Sequence, residues 1–162
     1  MFDVAVVYLI SGPVDDPTVL LGEKLTGLGV GKIVGPGGKR ESDESAEEAA
    51  VREVFEEVGI VVETTDLTPI ARVSYPFLGR PELSQRSHAF VARTFTGLPQ
   101  ASVELEPSWW PLGALPLDRM WADAALWLPR ALAGEFLEAT IEITRENLVA
   151  QADLTWSAFR RD

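Results

Sequence analysis

The sequence predicts an α/β layered domain built on a mixed β-sheet. Three observations carry that expectation. Short β-branched and aromatic runs recur along the chain, one well-capped amphipathic helix interrupts them early, and a second helical stretch comes late. A length of 162 residues suits a single domain, 1–162, with a proper hydrophobic core. Composition agrees, at 46% apolar and 24% charged, with no internal repeat and no linker dividing the chain.

Residues 2–10 (FDVAVVYLI) read as a buried strand ended by Ser11-Gly12-Pro13, and residues 19–24 (VLLGEK) as its partner across a turn. From Gly27 to Gly38 the chain is glycine-rich, which lets backbone approach a ligand closely. Ser45 then opens S-A-E-E, a capping box with Glu48, and the helix is expected to stop at Gly59. Ala50, Val51, Val54 and Val58 form its apolar stripe, with Glu53, Glu56 and Glu57 expected to face away from it. Residues 60–63 read as a short strand, and 68–78 and 87–96 as two more, turning at Gly79-Arg80-Pro81. A polar loop with Glu104 and Glu106 leads to Trp109-Trp110-Pro111. Residues 121–134 form the second helical region, interrupted at Pro129, with Trp121, Leu126, Trp127 and Leu132 as packing residues. Residues 136–143 alternate as a half-exposed strand, and the tail with Leu154, Trp156 and Phe159 adds a last one.

The charge balance excludes some functions. With 14 basic and 25 acidic residues the net charge is −11, which disfavours binding to nucleic acid polymers. Cysteine is absent, so no disulfide framework or thiolate chemistry is available. His88, the single histidine, lies in an alternating run and reads as a strand residue rather than a zinc ligand. No run is apolar and long enough to span a membrane, so a cytoplasmic location is the default, and a monomer is expected because nothing in the sequence demands a dimer.

Eight of the acids fall between Glu41 and Glu57. On a helix, Glu53, Glu56 and Glu57 stand at i, i+3 and i+4 and share one face. Like charges so placed need compensation, and a divalent cation with hard oxygen preference, shared with substrate phosphates, supplies it. Cleavage of a phosphoanhydride by water needs that neutralisation, a positioned water and a base. Arg52 can hold a neighbouring carboxylate in one rotamer by a bidentate hydrogen bond. The competing reading is a solvated acidic face, against which stands the lack of basic partners other than Arg52 inside the helix.

The spacing G-x5-E-x7-R-E-u-x-E-E-x-G-u, with u a bulky aliphatic residue, resembles the Nudix box. Gly38, Glu44, Arg52, Glu53, Val54, Glu56, Glu57, Gly59 and Ile60 fill all nine specified positions. The resemblance implies a Nudix fold, an α/β/α sandwich around a mixed sheet, and hydrolysis of a nucleotide phosphoanhydride with Mg²⁺, or Mn²⁺ in its place. It implies Glu53, Glu56 and Glu57 as metal ligands or base, Arg52 as their orienting partner, and Glu44 as a supporting acid. The carbonyl of Gly37, beside Gly38, would be a further metal ligand. Patches at 19–24, 81–83 and 118–123 resemble the MutT-type enzymes that clear oxidised purine triphosphates, most narrowly the animal 8-oxo-dGTPase branch. That resemblance implies Glu104 as an acid joining the metal site, Trp121 as the ring stacking on the base, and Asp123 as a base-reading carboxylate. It places Tyr75 and Phe77 in the pocket and Lys24 near the nucleotide.

Three positions depart from that branch. A second aspartate is Ala124, the base-reading asparagine is Val34, and an adjacent tryptophan is Ile33. Selectivity comes from polar groups left unpaired by a wrong base. Release of pyrophosphate and a monophosphate from a purine triphosphate, such as 8-oxo-dGTP, is therefore the first expectation. An ADP-sugar or dinucleoside polyphosphate is the second, and a nucleotide-sensing domain without turnover the third.

Overall fold

The computed structural model describes residues 1–158. Strand β1 (Phe2–Ser11) is an interior strand of the sheet, and its residues Val7 and Leu9 are fully buried. It pairs antiparallel with β2 (Thr18–Lys24) and with β4 (Gly37–Lys39), a three-residue strand inside the glycine-rich segment. β3 (Ile33–Val34) lies on β2. Helix α1 (Ala46–Val58) follows, then β5 (Thr68–Tyr75), β6 (Gln85–Ala92), β7 (Leu105–Pro111), α2 (Ala124–Leu132), β8 (Glu135–Ile143) and β9 (Val149–Ala158). The main path of the sheet runs β3-β2-β1-β6-β5-β8-β9, parallel at β1·β6 and β5·β8 and antiparallel elsewhere. β7 pairs with β2 off this path.

The two helices cover opposite faces. Ala49, Ala50, Val54 and Val58 of α1 pack with Val7, Leu9, Leu20 and Phe90 in one core. Trp127, Leu128 and Ala131 of α2 pack with Tyr8, Leu21, Val73 and Leu137 in the other. The mixed sheet between two helical layers is the α/β/α arrangement expected. Helix α1 begins as its capping box dictates: Ser45 Oγ accepts from the Glu48 N–H at 3.1 Å, and Glu48 Oε1 accepts from the Ser45 N–H at 3.0 Å. It ends at Gly59, whose φ of 72° is left-handed and open to glycine at little cost.

Several elements differ from expectation. Residues 60–63 form no strand; Val61 makes a single bridge to Thr96, while Ile60 and Val62 anchor the connection in the core. The loop expected at Glu104 to Pro111 is strand β7 from Leu105 onward. Pro107 and Pro111 mask it in the sequence, yet an outer strand tolerates prolines because their missing N–H faces away from the ladder. The strand expected at 68–78 ends at Tyr75, and that expected at 87–96 runs from Gln85 to Ala92. Trp121 precedes the second helix, which starts at Ala124 and accommodates Pro129 inside it. Val51 is only half-buried, and Ala49 takes its expected place in the apolar stripe. Phe159 lies outside the described residues.

His88 is a strand residue, as expected. Its Nε2 meets Asp3 Oδ1 at 3.0 Å, and Arg86 and Arg40 approach the same carboxylate at 3.6 and 3.5 Å. The hydrogen bond to His88, then the nearby charges of His88, Arg86 and Arg40, hold the Asp3 carboxyl below its ordinary value despite partial burial. A folded-state pKa below the unfolded one contributes stability above about pH 4 that is lost as pH falls through the folded value. Asp3→Asn should therefore lower Tm more at pH 7 than at pH 2.5, relative to wild type. Thermal melts across that range would check this, and an equal Tm deficit at both ends would refute it.

Candidate active site

The acidic face of α1 is organised by one guanidinium. Arg52 grips Glu44 through two bonds, Nε to Oε2 at 3.1 Å and Nη2 to Oε1 at 2.6 Å. Its Nη1 donates to Glu53 Oε1 at 2.9 Å and to Glu56 Oε2 at 3.2 Å, and Nη2 also donates to the Lys39 carbonyl at 2.9 Å. Arg52 thus joins the entry loop, β4 and the helix. The Arg52 hydrogen bonds, with the Glu41 N–H donating at 2.8 Å, push the Glu44 carboxyl down to about 2.

The three helix glutamates do not share one environment. Glu56 is largely exposed, whereas Glu57 is only 7% exposed and lies against the apolar stripe rather than away from it. Its spacing from Val54 and Val58 puts it on the edge of that stripe, where only a polar partner makes burial tolerable. The partner is the Gly37 N–H, which donates to Glu57 Oε1 at 2.7 Å. Burial raises the Glu57 carboxyl to about 7, and nearby Glu53 and Glu104 push in the same direction. Burial likewise raises Glu53, opposed by Arg52.

Two glycines let the sheet meet this helix. A Cβ on Gly37 would collide with the Ala5 carbonyl oxygen of the neighbouring strand. One on Gly38 would stand 2.5 Å from the Glu53 carboxyl carbon, so that carboxyl occupies the space a side chain would need. Glu104 arrives from the segment before β7, which is fastened by the Leu25 N–H donating to the Glu104 carbonyl at 2.9 Å.

The donor set is chemically suited to a hard divalent cation: carboxylate oxygens of Glu53, Glu57 and Glu104 repel one another in a half-buried place, and a cation relieves that repulsion. Among the described residues no three Asp, Glu, His or Cys side chains stand as a ready-made cage. Mg²⁺ does not require one, because it keeps several waters and shares its shell with substrate phosphates.

Beside the acidic face opens a cavity of about 450 Å³. Gly37, Gly38 and Glu57 line one part of it, and Lys24, Tyr75, Phe77, Trp121 and Asp123 line the rest. The pocket residues expected from the sequence are therefore gathered in one cleft, contiguous with α1. Glu56 points elsewhere, toward Arg52. Trp121 packs edge-on to Phe77 at 6.0 Å, with Lys32 Nζ 5.3 Å from its ring. A Cβ on Gly29 would stand 2.9 Å from the indole, so that glycine lets the loop lie on Trp121. Ile33, Val34 and Ala124 form apolar wall.

Two pocket residues escaped the sequence reading. Trp127, expected as packing alone, donates Nε1–H to Asp123 Oδ2 at 2.9 Å, and the Tyr75 hydroxyl donates to the same oxygen at 2.6 Å. Tyr8, read as a plain strand residue, also lines the cavity. For Trp127 the available signal was that a buried Trp usually finds a partner for its Nε1–H; Tyr8 offered no such signal.

A model of the NUDIX domain matches residues 1–131. The chain belongs to the Nudix family. This Nudix chain is 42% identical over 114 residues to the oxidized purine nucleoside triphosphate hydrolase of Danio rerio, covering 70% of this chain and 71% of that protein. It is 40% identical to the Mus musculus protein of the same name, with the same coverage of each chain. The crystal structure of the MutT protein from Bacillus halodurans superposes with a TM-score of 0.77 at 24% identity, covering 95% of this chain and 97% of that one, which shows the shared fold. The protein is thus a Nudix hydrolase, a class that generally uses divalent metals and small nucleotide substrates. No described helix is long and apolar enough to cross a membrane.

Gly38→Ala should displace the Glu53 carboxyl while leaving the core intact. The variant should keep its far-UV circular dichroism, lose most of the Tm gain produced by millimolar Mg²⁺, and hydrolyse at least tenfold more slowly. An unchanged Mg²⁺-induced Tm shift would show that Glu53 tolerates the methyl group.

Proposed function

We propose that this Nudix hydrolase uses Mg²⁺ to split a purine nucleoside triphosphate into the monophosphate and pyrophosphate, with an oxidised purine such as 8-oxo-dGTP as substrate. The observation that carries the reading is a single cleft lined by Gly37, Gly38 and Glu57, where the acidic helix borders it, and by the aromatic rings of Tyr75, Phe77 and Trp121. A triphosphate and a planar base match those two linings. The relatives from Danio rerio and Mus musculus, named for oxidised purine nucleoside triphosphates, support the same substrate.

In this reading Glu53, Glu56, Glu57, Glu104 and the Gly37 carbonyl would hold the metal. Bound there, Mg²⁺ supplies charge neutralisation on the phosphates and lowers the pKa of water. Arg52, itself gripped by Glu44, holds Glu53 in place against the repulsion of the neighbouring carboxylates. One of the helix glutamates takes the proton from the attacking water, whose oxygen bonds to phosphorus as the bridging oxygen leaves with the departing group. Lys24 faces the phosphates, Trp121 stacks on the base, and Asp123 reads its edge. Residues 1–162 act as one domain and as a monomer, in the cytoplasm.

A second reading keeps the chemistry and exchanges the leaving group for an ADP-sugar or a dinucleoside polyphosphate. It is favoured by the apolar wall at Val34 and Ala124, which offers the base few polar contacts. Product analysis after incubation with Mg²⁺ and 8-oxo-dGTP, dGTP, dATP, dCTP, ADP-ribose or a diadenosine polyphosphate separates the two. Faster pyrophosphate release from 8-oxo-dGTP than from dGTP is the expected result. A preference for ADP-ribose would transfer the assignment to the second reading.

Glu57→Gln should lower kcat by at least a hundredfold. It should also leave the metal-free protein as stable as wild type or more so, because the amide still accepts from Gly37 and relieves repulsion from Glu53 and Glu104. Glu56→Gln should also lower turnover by orders of magnitude, with less effect on metal-free Tm because that side chain is exposed. A variant retaining near-normal rate would clear its glutamate of an essential role.

A further inference from the structure

Tyr8 is the buried polar side chain of the cleft to which the chemistry above gives no task. It is 6% exposed, lines the cavity, and sits on β1 where Gly35 lies against its ring; a Cβ there would stand 2.9 Å from Cε1. Among the described residues its hydroxyl has no hydrogen-bond partner, nor is it sealed in the core as an orphan, so it opens onto the cavity. Asp123 is 4% exposed and stands close by. Its Oδ2 is taken by both Tyr75 and Trp127, while Oδ1 has no partner among the described residues and does not cap α2. Those two bonds fix the carboxylate plane and leave one oxygen for a ligand. The Asp123 charge, added to burial, raises the Tyr8 phenol further above its ordinary value, so Tyr8 remains an O–H donor at any working pH.

We propose that Tyr8 is a specificity-determining residue that, together with Asp123 Oδ1, forms a donor–acceptor pair reading the edge of the nucleobase. The Tyr8 hydroxyl donates to a ring nitrogen or carbonyl oxygen, and Asp123 Oδ1 accepts from the neighbouring N–H. The pair therefore selects purines with an acceptor beside an N–H, and supplies polar selectivity that Val34 and Ala124 do not. This rests on the nucleotide reading above, and deepens it by naming the group that reads the base.

The test is steady-state kinetics of wild type and Tyr8→Phe with Mg²⁺ on 8-oxo-dGTP, dGTP, dATP and dCTP, with Tm measured on both. Tyr8→Phe keeps the ring and its packing. The expected result is a rise in KM of about tenfold for the preferred purine, kcat within about twofold, and a matching fall in its preference over dCTP. Equal preference in the two proteins, with pyrophosphate still released, overturns the role of Tyr8 and leaves the nucleotide reading standing. A uniform loss on all four nucleotides with lowered Tm marks Tyr8 as structural and also overturns it. Absence of release by wild type from every nucleotide overturns the nucleotide reading, and the role of Tyr8 with it.

Discussion

The site depends on how closely β4 can approach both β1 and α1. Gly37 and Gly38 carry no side chain at the one place where strand, strand and helix meet. At Gly37 the Ala5 carbonyl fills the space of a Cβ, and at Gly38 the Glu53 carboxyl does so. Through this contact the Gly37 N–H reaches Glu57, and a helix carboxylate becomes part of the cleft wall. A side chain at Gly37 would need β4 to move away from β1, and one at Gly38 would need the Glu53 carboxyl to give way.

Holding so many carboxylates together has an electrostatic cost, which the chain distributes. Arg52 neutralises the outer acids, Glu44 and Glu56, and steadies Glu53. Glu57, beyond its reach, is left with one amide donor and two acidic neighbours, and burial raises its proton affinity. Carboxylates poised in this way favour a hard cation without a complete protein cage, because such a cation brings water and phosphate oxygens with it. The net charge of −11 is thus compatible with an anionic substrate, since a bound cation inverts the local sign.

Elsewhere in the cleft, fixed hydrogen bonds replace charge neutralisation. Asp123 sits at the start of α2, where Tyr75 from β5 and Trp127 one turn on in the helix converge on a single oxygen. A carboxylate with one oxygen so anchored cannot rotate freely, which holds its second oxygen in one fixed place. Phe77, Trp121 and the glycine at position 29 supply flat apolar surface around it. The cleft therefore borders mutually repelling carboxylates on one side and rigidly hydrogen-bonded groups on another.

The local elements were legible in the sequence because their signals are local. Ser45, Glu48 and Gly59 bound α1, alternation marks β8, and the box spacing marks the residues placed around Arg52. The strand hidden behind Pro107 and Pro111 was not legible, since those prolines are tolerated only through β7's outer position beside β2, a fact of sheet order. The burial of Glu57 was not legible either: periodicity put all three glutamates on one face, and only the approach of Gly37 from β4 decided which one turns inward. Nor could the sequence place Tyr8 near Asp123, 115 positions away, since the two meet only through the core and cavity that β1 and the start of α2 share. The sequence by itself determined the chemical inventory and the helix that carries it. The tertiary structure decided which polar atoms lost their water and which found partners, because burial and close approach are properties of the packed layers and not of any one segment.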